Sequence, residues 1–205
     1  MKTFVKPLIF IASVALVSYA YYFYLTNVVL EKRRAEREQV KSAKTSTFSI
    51  LLQPLVFEPA LLNIPAISLK DVKIVEIGVE PDGRLEVPKN FDEAGWYVNG
   101  PKAGEDGNAI IAAHYDRVGG YPAVFYNLVK IAKDDIVEIK DRAGKVWKFK
   151  VYEISYVDIN DPDRILKAYE NTDDSILTLI TCGGVWDFTN HDYSKRLLVK
   201  ARKTE

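Results

Sequence analysis

Ser175-Ile176-Leu177-Thr178-Leu179-Ile180-Thr181-Cys182-Gly183-Gly184, followed after a polar loop by Ser194-Lys195-Arg196-Leu197-Leu198-Val199-Lys200-Ala201-Arg202-Lys203, is the stretch around which the chain is organised. Its first apolar run is rich in branched residues, too short for a helix, and bounded by Asp173-Asp174 before and Gly183-Gly184 after. That combination predicts a buried strand ending on the single cysteine of the chain. The second run predicts a strand that opens on Arg196. A strand end holds a side chain rigidly, and adjacent glycines let backbone N–H groups approach a bound molecule closely. Placement alone therefore makes Cys182 a candidate nucleophile.

Length and composition bound what surrounds this pair. With 205 residues, 48% apolar and 27% charged, the chain supports one core of ordinary size. One cysteine excludes an internal disulfide, and with only two histidines no metal centre is expected. No paired acidic cluster argues for calcium, and no cofactor is expected. The formal net charge is zero, but residues 59–205 carry 20 Lys and Arg against 24 Asp and Glu, a balance of −4. A nucleic-acid role has no electrostatic support.

The N-terminal part reads as three segments. Residues 1–6 are a tail bearing Lys2 and Lys6, and residues 7–30 carry no charge. As a helix the uncharged run would reach about 36 Å, more than the roughly 30 Å hydrocarbon core of a bilayer, so it is predicted to be a transmembrane signal anchor. Tyr19, Tyr21, Tyr22 and Tyr24 gather toward its C-terminal half, as at a headgroup interface. Ser18-Tyr19-Ala20 has the small-x-small pattern of a cleavage site, but the apolar run continues past it and favours an uncleaved anchor. Lys32, Arg33, Arg34 and Arg37 outnumber the two lysines before the segment, a distribution that opposes export of the domain C-terminal to it. Residues 31–58, charged and then rich in Ser and Thr, read as a stalk and linker.

From residue 59 the pattern is that of an all-β domain with short helices. Strands are predicted over 61–67, interrupted by Pro65 and suited to an edge, and over 72–79, paired through a turn at Asp82-Gly83 with 85–88. Residues 90–105, punctuated by Gly95, Gly100, Pro101 and Gly104, read as loop. A small-residue strand over 108–114 ends on His114, and 122–131 fits a short amphipathic helix. Strands over 136–140 and 146–159 form a hairpin, in which Trp147, Phe149 and Val151 alternate with Lys148, Lys150 and Tyr152. Asp161-Pro162 then starts a helix over 163–170, with Asp161 as its cap. With the two strands around Cys182 the count is eight, and a closed barrel is the packing that leaves fewest bare edges.

Cys182, His114 and Arg196 all fall at predicted strand termini. A thiol attacks a carbonyl as thiolate, a form that a nearby imidazolium or guanidinium favours. Histidine can protonate a leaving amine near neutral pH, and Arg196 with the N–H of Gly183 offers donors for an oxyanion. Each has a plainer alternative: Cys182 as a small core residue, His114 as a satisfied strand-end histidine, Arg196 as a surface charge. His191, in the polar loop, is the rival base, and Asp116 either orients His114 or begins a turn.

Thr178-Leu179-Ile180-Thr181-Cys182 matches the Thr-Leu-x-Thr-Cys signature of sortases, the cell-wall transpeptidases of mainly Gram-positive bacteria. Ile64-Pro65-Ala66-Ile67, Leu85-Glu86-Val87-Pro88, Gly95-Trp96-Tyr97, the strand into His114, Ala123-Val124-Phe125-Tyr126-Asn127-Leu128 and Arg196 are similar to that family in order and spacing. The resemblance covers nearly all of 60–202 and leans toward class F or the related D and E groups. It implies a closed eight-stranded sortase-type β-barrel behind an N-terminal transmembrane helix. Cys182 would be the nucleophile, His114 the general acid and base, and Arg196 the oxyanion- and substrate-positioning residue, with Thr181 and Gly183 beside them at the substrate groove. The implied reaction cleaves a Leu-Pro-x-Thr-Gly-like sorting signal of a secreted protein after the threonine and holds a thioacyl intermediate. It then passes the acyl group to an amine of a peptidoglycan precursor or a pilin lysine. Sortases commonly expose the catalytic domain outside a single-pass anchor, and this outweighs the charge count. The loop Val118-Gly119-Gly120-Tyr121 departs from the family pattern, and Trp186 and Phe188, between Cys182 and Arg196, are expected to pack rather than line a groove. The rival functions are a membrane-anchored cysteine hydrolase and a non-catalytic barrel that binds peptides or wall polymer.

Overall fold

Eight strands within residues 59–203 close into one barrel. The strands are β1 (Pro59–Ile64), β2 (Leu69–Ile77), β3 (Ala94–Tyr97), β4 (Gly107–Ala112), β5 (Ile136–Asp141), β6 (Val146–Asp158), β7 (Ser175–Asp187) and β8 (Asp192–Lys203). Their order around the barrel is β1-β2-β3-β4-β7-β8-β6-β5, and β5 returns to β1. The β2–β3 and β4–β7 pairs are parallel and the rest antiparallel. This computed structural model describes residues 56–169 and 172–204, with the helical residues 23–24, 27–28, 31–32, 34 and 38–39. The chain divides into Met1–Leu55 and Val56–Glu205. Among the described residues no helix is long and apolar enough to cross a membrane. The anchor expected over 7–30 lies outside them except for Phe23, Tyr24, Asn27 and Val28.

The barrel interior is a single cluster that includes Leu62, Ile64, Phe125, Phe149, Leu177, Leu179, Leu197 and Val199. Completely burying a side chain of this size stabilises by ~1.5–3 kcal/mol. In β6, Trp147, Phe149 and Val151 face inward while Lys148 and Lys150 are exposed, as the alternation requires. Asp141 is an acidic exception inside: one carboxylate oxygen accepts the Lys145 amide at 2.9 Å and the other accepts Trp147 Nε1 at 3.0 Å. It fixes the β5–β6 turn.

Several expectations are corrected. The strand over 61–67 stops at Ile64, where Pro65 opens a 3₁₀ turn (Pro65–Ile67), and it is no edge because β2 and β5 flank it. The hairpin to 85–88 shrinks to one bridge, Val79 to Leu85, because the Glu86 carboxylate rather than a ladder oxygen takes the Gly78 amide, at 2.6 Å. The loop over 90–105 contains β3: Gly95, which has the look of a breaker, is required there, since a Cβ would stand 2.5 Å from Ile77 Cγ2 on β2. The count of eight survives because β3 replaces 85–88. The helix over 122–131 is a 3₁₀ turn, Tyr126–Lys130. Helix α1 is limited to Arg164–Ala168, with Asp163 at its N-cap position but no side-chain capping bond, while Asp161 organises the preceding turn by accepting the Asp163 amide. Finally, β7 and β8 continue through the expected polar loop as a hairpin, so neither Cys182 nor Arg196 lies at a strand end.

Asp141→Ala removes the acceptor of two donors, one of them a buried indole N–H, and is expected to cost about 1–3 kcal/mol. Urea unfolding should show a lower midpoint with an unchanged slope, and an unchanged midpoint would contradict the assignment.

Candidate active site

The antiparallel register of β7 on β8 sets Cys182 directly across from Arg196. Leu177, Leu179, Leu197 and Val199 point into the core, so Cys182 and Arg196, one residue out of phase with them, share the outer face. β4 accompanies β7 only as far as the Ala112–Ile180 pair and a last bond from the Ala113 amide to the Ile180 carbonyl at 3.1 Å. The strand end that mounts the site is therefore that of β4, and β7 continues past it toward Cys182.

Thr181 braces this point. Its hydroxyl donates to the Ala113 carbonyl at 2.8 Å, and the side chain is buried. Its nearness to Cys182 suggests a place at the substrate groove; its phase on β7 turns it inward instead. Gly183 pairs with Lys195, and a Cβ there would stand 2.8 Å from Cε1 of Tyr156, so the glycine is needed for the close approach of that ring. Gly184 follows with φ +81 at the register shift of the hairpin, a conformation that favours glycine.

His114 begins the loop beyond β4. Its Nε2 lies 2.8 Å from the Pro88 carbonyl, an acceptor only, so Nε2 is the donor of that bond. The Phe91 ring packs against the imidazole with centroids 4.5 Å apart. The direct hydrogen-bond partner of this histidine is Pro88, not Asp116. Asp116 accepts the hydroxyl of Tyr193, and among the described residues no hydrogen bond joins His114 to Cys182. His191 sits in the exposed turn between β7 and β8, with φ 53.

The partly buried Cys182 thiol is held above its ordinary value by burial; Arg196 opposes that shift, and Asp192 and Asp116 add to it. The resting group is a neutral thiol. Arg196 is itself held: Nη1 donates to the carbonyls of Tyr193 and Lys195, each at 3.1 Å, and Nη2 to both carboxylate oxygens of Asp192, at 3.0 and 2.8 Å. Among the described residues its Nε–H has no partner. A thiol and a guanidinium facing each other on β7 and β8, with an imidazole just beyond the end of β4, can carry out acyl transfer.

Sequence reasoning missed Asp192, Tyr193, Tyr156 and Pro88. Asp192 has a signal, since it is four residues before Arg196 and in phase with it on a strand, but the polar character of the segment disguises that strand as loop. Trp186 packs edge-on against Tyr193 with centroids 5.1 Å apart, as expected, whereas Phe188 is 83% exposed.

A family model described as Sortase domain matches residues 62–204. No curated protein matches the chain. Among solved structures the chain is similar to sortase A of Listeria monocytogenes, at 19% identity over 70% of this chain and 85% of that one, with a TM-score of 0.53. It is similar to a sortase D5 transpeptidase of Clostridium perfringens, at 23% identity over 80% and 89%, TM-score 0.52. A sortase of Actinomyces oris is 23% identical over 75% and 87%, TM-score 0.55. At these identities the likeness is one of fold.

Because the thiolate is the reactive form and burial raises the thiol pKa, alkylation of Cys182 by iodoacetamide should rise with pH around a midpoint above the ordinary ~8.5. Arg196→Ala removes the opposing charge and should move that midpoint further up. A midpoint that falls in this variant would contradict the assignment.

Proposed function

The chain belongs to the sortase family of cysteine transpeptidases, and on that premise we propose that Cys182, His114 and Arg196 transfer a sorting-signal acyl group to an amine. The observation that carries this is the cross-strand pairing of Cys182 with Arg196. Cys182 Sγ attacks the carbonyl of the threonine in a Leu-Pro-x-Thr-Gly-like signal. Its proton passes to His114 and on to the departing glycine amine, so the C–N bond breaks as a thioester forms. Arg196, with the Gly183 N–H, stabilises the oxyanion. Nε–H is available to a substrate carbonyl at once; Nη2 becomes available if that carbonyl displaces Asp192. An acceptor amine then attacks the thioester, gives up its proton to His114, and releases the thiol with a new amide. Thr181 holds the last turn of this machinery from inside, through Ala113.

The substrates in this proposal are secreted proteins with C-terminal sorting signals, and the acceptor is a peptidoglycan precursor or a pilin lysine. Residues 7–30 are proposed as a single-pass signal anchor in the cell membrane, 31–58 as the stalk, and 59–205 as the extracellular catalytic domain. The uncharged length of 7–30 and the tyrosines at its C-terminal half support the anchor.

Mass spectrometry of the full chain in detergent, incubated with Leu-Pro-x-Thr-Gly-like peptides with and without amines, tests the reaction. An acyl adduct on Cys182 that resolves to an amide is expected. Hydrolysis with no amide product would indicate a cysteine hydrolase, and no adduct on any peptide would favour a binding module. Cys182→Ala, His114→Ala and Arg196→Ala should each lower turnover by several orders of magnitude, and His191→Ala should be mild. A severe defect in His191→Ala with normal turnover in His114→Ala would reverse the base assignment.

A further inference from the structure

His114 and Arg196 are carried by different elements. Arg196 lies in β8, locked by ladders to β7 and β6. His114 lies past the end of β4, where Thr181 to Ala113 and Ala113 to Ile180 are the last bonds to β7. Any chemistry that needs imidazole and guanidinium together depends on how the loop after β4 is tied to β8.

Tyr193 makes that tie. Its hydroxyl donates to Asp116, two residues after His114. Its ring stands edge-on to Tyr115, the neighbour of His114, with centroids 5.6 Å apart at 77°, and edge-on to Trp186 across the hairpin at 5.1 Å. Tyr115 is stacked in turn on Tyr126, at 5.0 Å. On the β8 side, the Tyr193 carbonyl accepts Arg196 Nη1 at 3.1 Å, and the Tyr193 amide donates at 2.7 Å to Asp192 Oδ1, an oxygen that also takes Arg196 Nη2. One residue thus bonds the segment that carries His114 with its side chain and the guanidinium of Arg196 with its main chain. A phenol-to-carboxylate bond is charge-assisted and directional, so it fixes a distance as well as holding two loops together. Burial, and then this bond, keep the Tyr193 phenol protonated well above the ordinary tyrosine range, so the donor is intact wherever the enzyme works.

We propose that Tyr193 and Asp116 are a positioning pair, whose hydroxyl-to-carboxylate hydrogen bond sets His114 against Arg196 about Cys182 for thioacyl formation. The proposal rests on the transpeptidase reading above. Neither residue touches the reacting atoms in this scheme; they act through His114 and Arg196.

Tyr193→Phe keeps the ring contacts with Tyr115 and Trp186 and removes only the hydroxyl, and Asp116→Ala removes the acceptor. For peptide cleavage by the full chain, each should lower kcat by about 10- to 100-fold while KM stays within about twofold. The double variant should be no worse than the poorer single one, because both remove the same bond. Asp116→Asn, which keeps an acceptor oxygen, should recover most of the loss. Wild-type kcat in Tyr193→Phe, multiplied losses in the double variant, or losses confined to KM would each overturn the proposal. The ultraviolet titration of tyrosinate supplies a readout independent of turnover. The Tyr193 signal, taken in each background as the difference made by Tyr193→Phe, should move to lower pH in Asp116→Ala; an unmoved signal would overturn the pair. A wild-type chain that turns over no peptide would instead defeat the transpeptidase reading, and the pair would then stand or fall by the titration.

Discussion

The register of β7 on β8 is the constraint on which the site depends. Side chains along a strand alternate between faces, so a slip of one residue would send either Leu177 and Leu179 or Leu197 and Val199 out to solvent and leave Cys182 and Arg196 on opposite faces. Core side chains of this size outweigh any preference of Cys182 or Arg196. The pairing of thiol with guanidinium is therefore enforced by apolar packing that takes no part in the chemistry. β4 adds the third member by stopping early: its parallel pairing with β7 ends at Ile180, and the chain turns away with His114 just beyond. Asn108 extends the same logic below the site. It donates to the Ala168 carbonyl at 2.9 Å and accepts the Thr178 hydroxyl at 2.8 Å, tying α1 to the strands that lead to His114 and Cys182.

The electrostatic balance around Cys182 suits a nucleophile that is protected at rest. Burial, Asp192 and Asp116 favour the thiol, and Arg196 favours the thiolate. Asp192 also neutralises Arg196 directly, which weakens its pull on Cys182. A substrate carbonyl that takes donors from Arg196 in place of Asp192 would shift this balance toward reaction only when substrate is present. Binding and activation would then be one event, as expected where interactions strengthen toward the transition state.

Much of this is legible from sequence wherever hydrophobic period and chemistry agree. The alternation of Trp147, Phe149 and Val151 places β6, and the apolar run before Cys182 places β7. Failures come where tertiary contact overrides local cues. Gly95 looks like a breaker, but it is a strand residue made necessary by Ile77 on the neighbouring strand. The segment 183–195 looks like a loop because its glycines and polar residues hide a bulged hairpin, and with it Asp192 and Tyr193. Thr181 invites a reading by its nearness to Cys182, whereas strand phase decides that it faces inward. The contact of His114 with Pro88 spans 26 residues and leaves no local trace.

The most direct test of the account is a crystal structure of the full chain with a substrate-mimicking peptide disulfide-linked to Cys182. The account predicts the peptide on the outer face of β7 and β8, with Arg196 donating to the carbonyl nearest Sγ and the His114 ring on the leaving-group side. A peptide seated away from Arg196, with the guanidinium still fully engaged by Asp192, would contradict it.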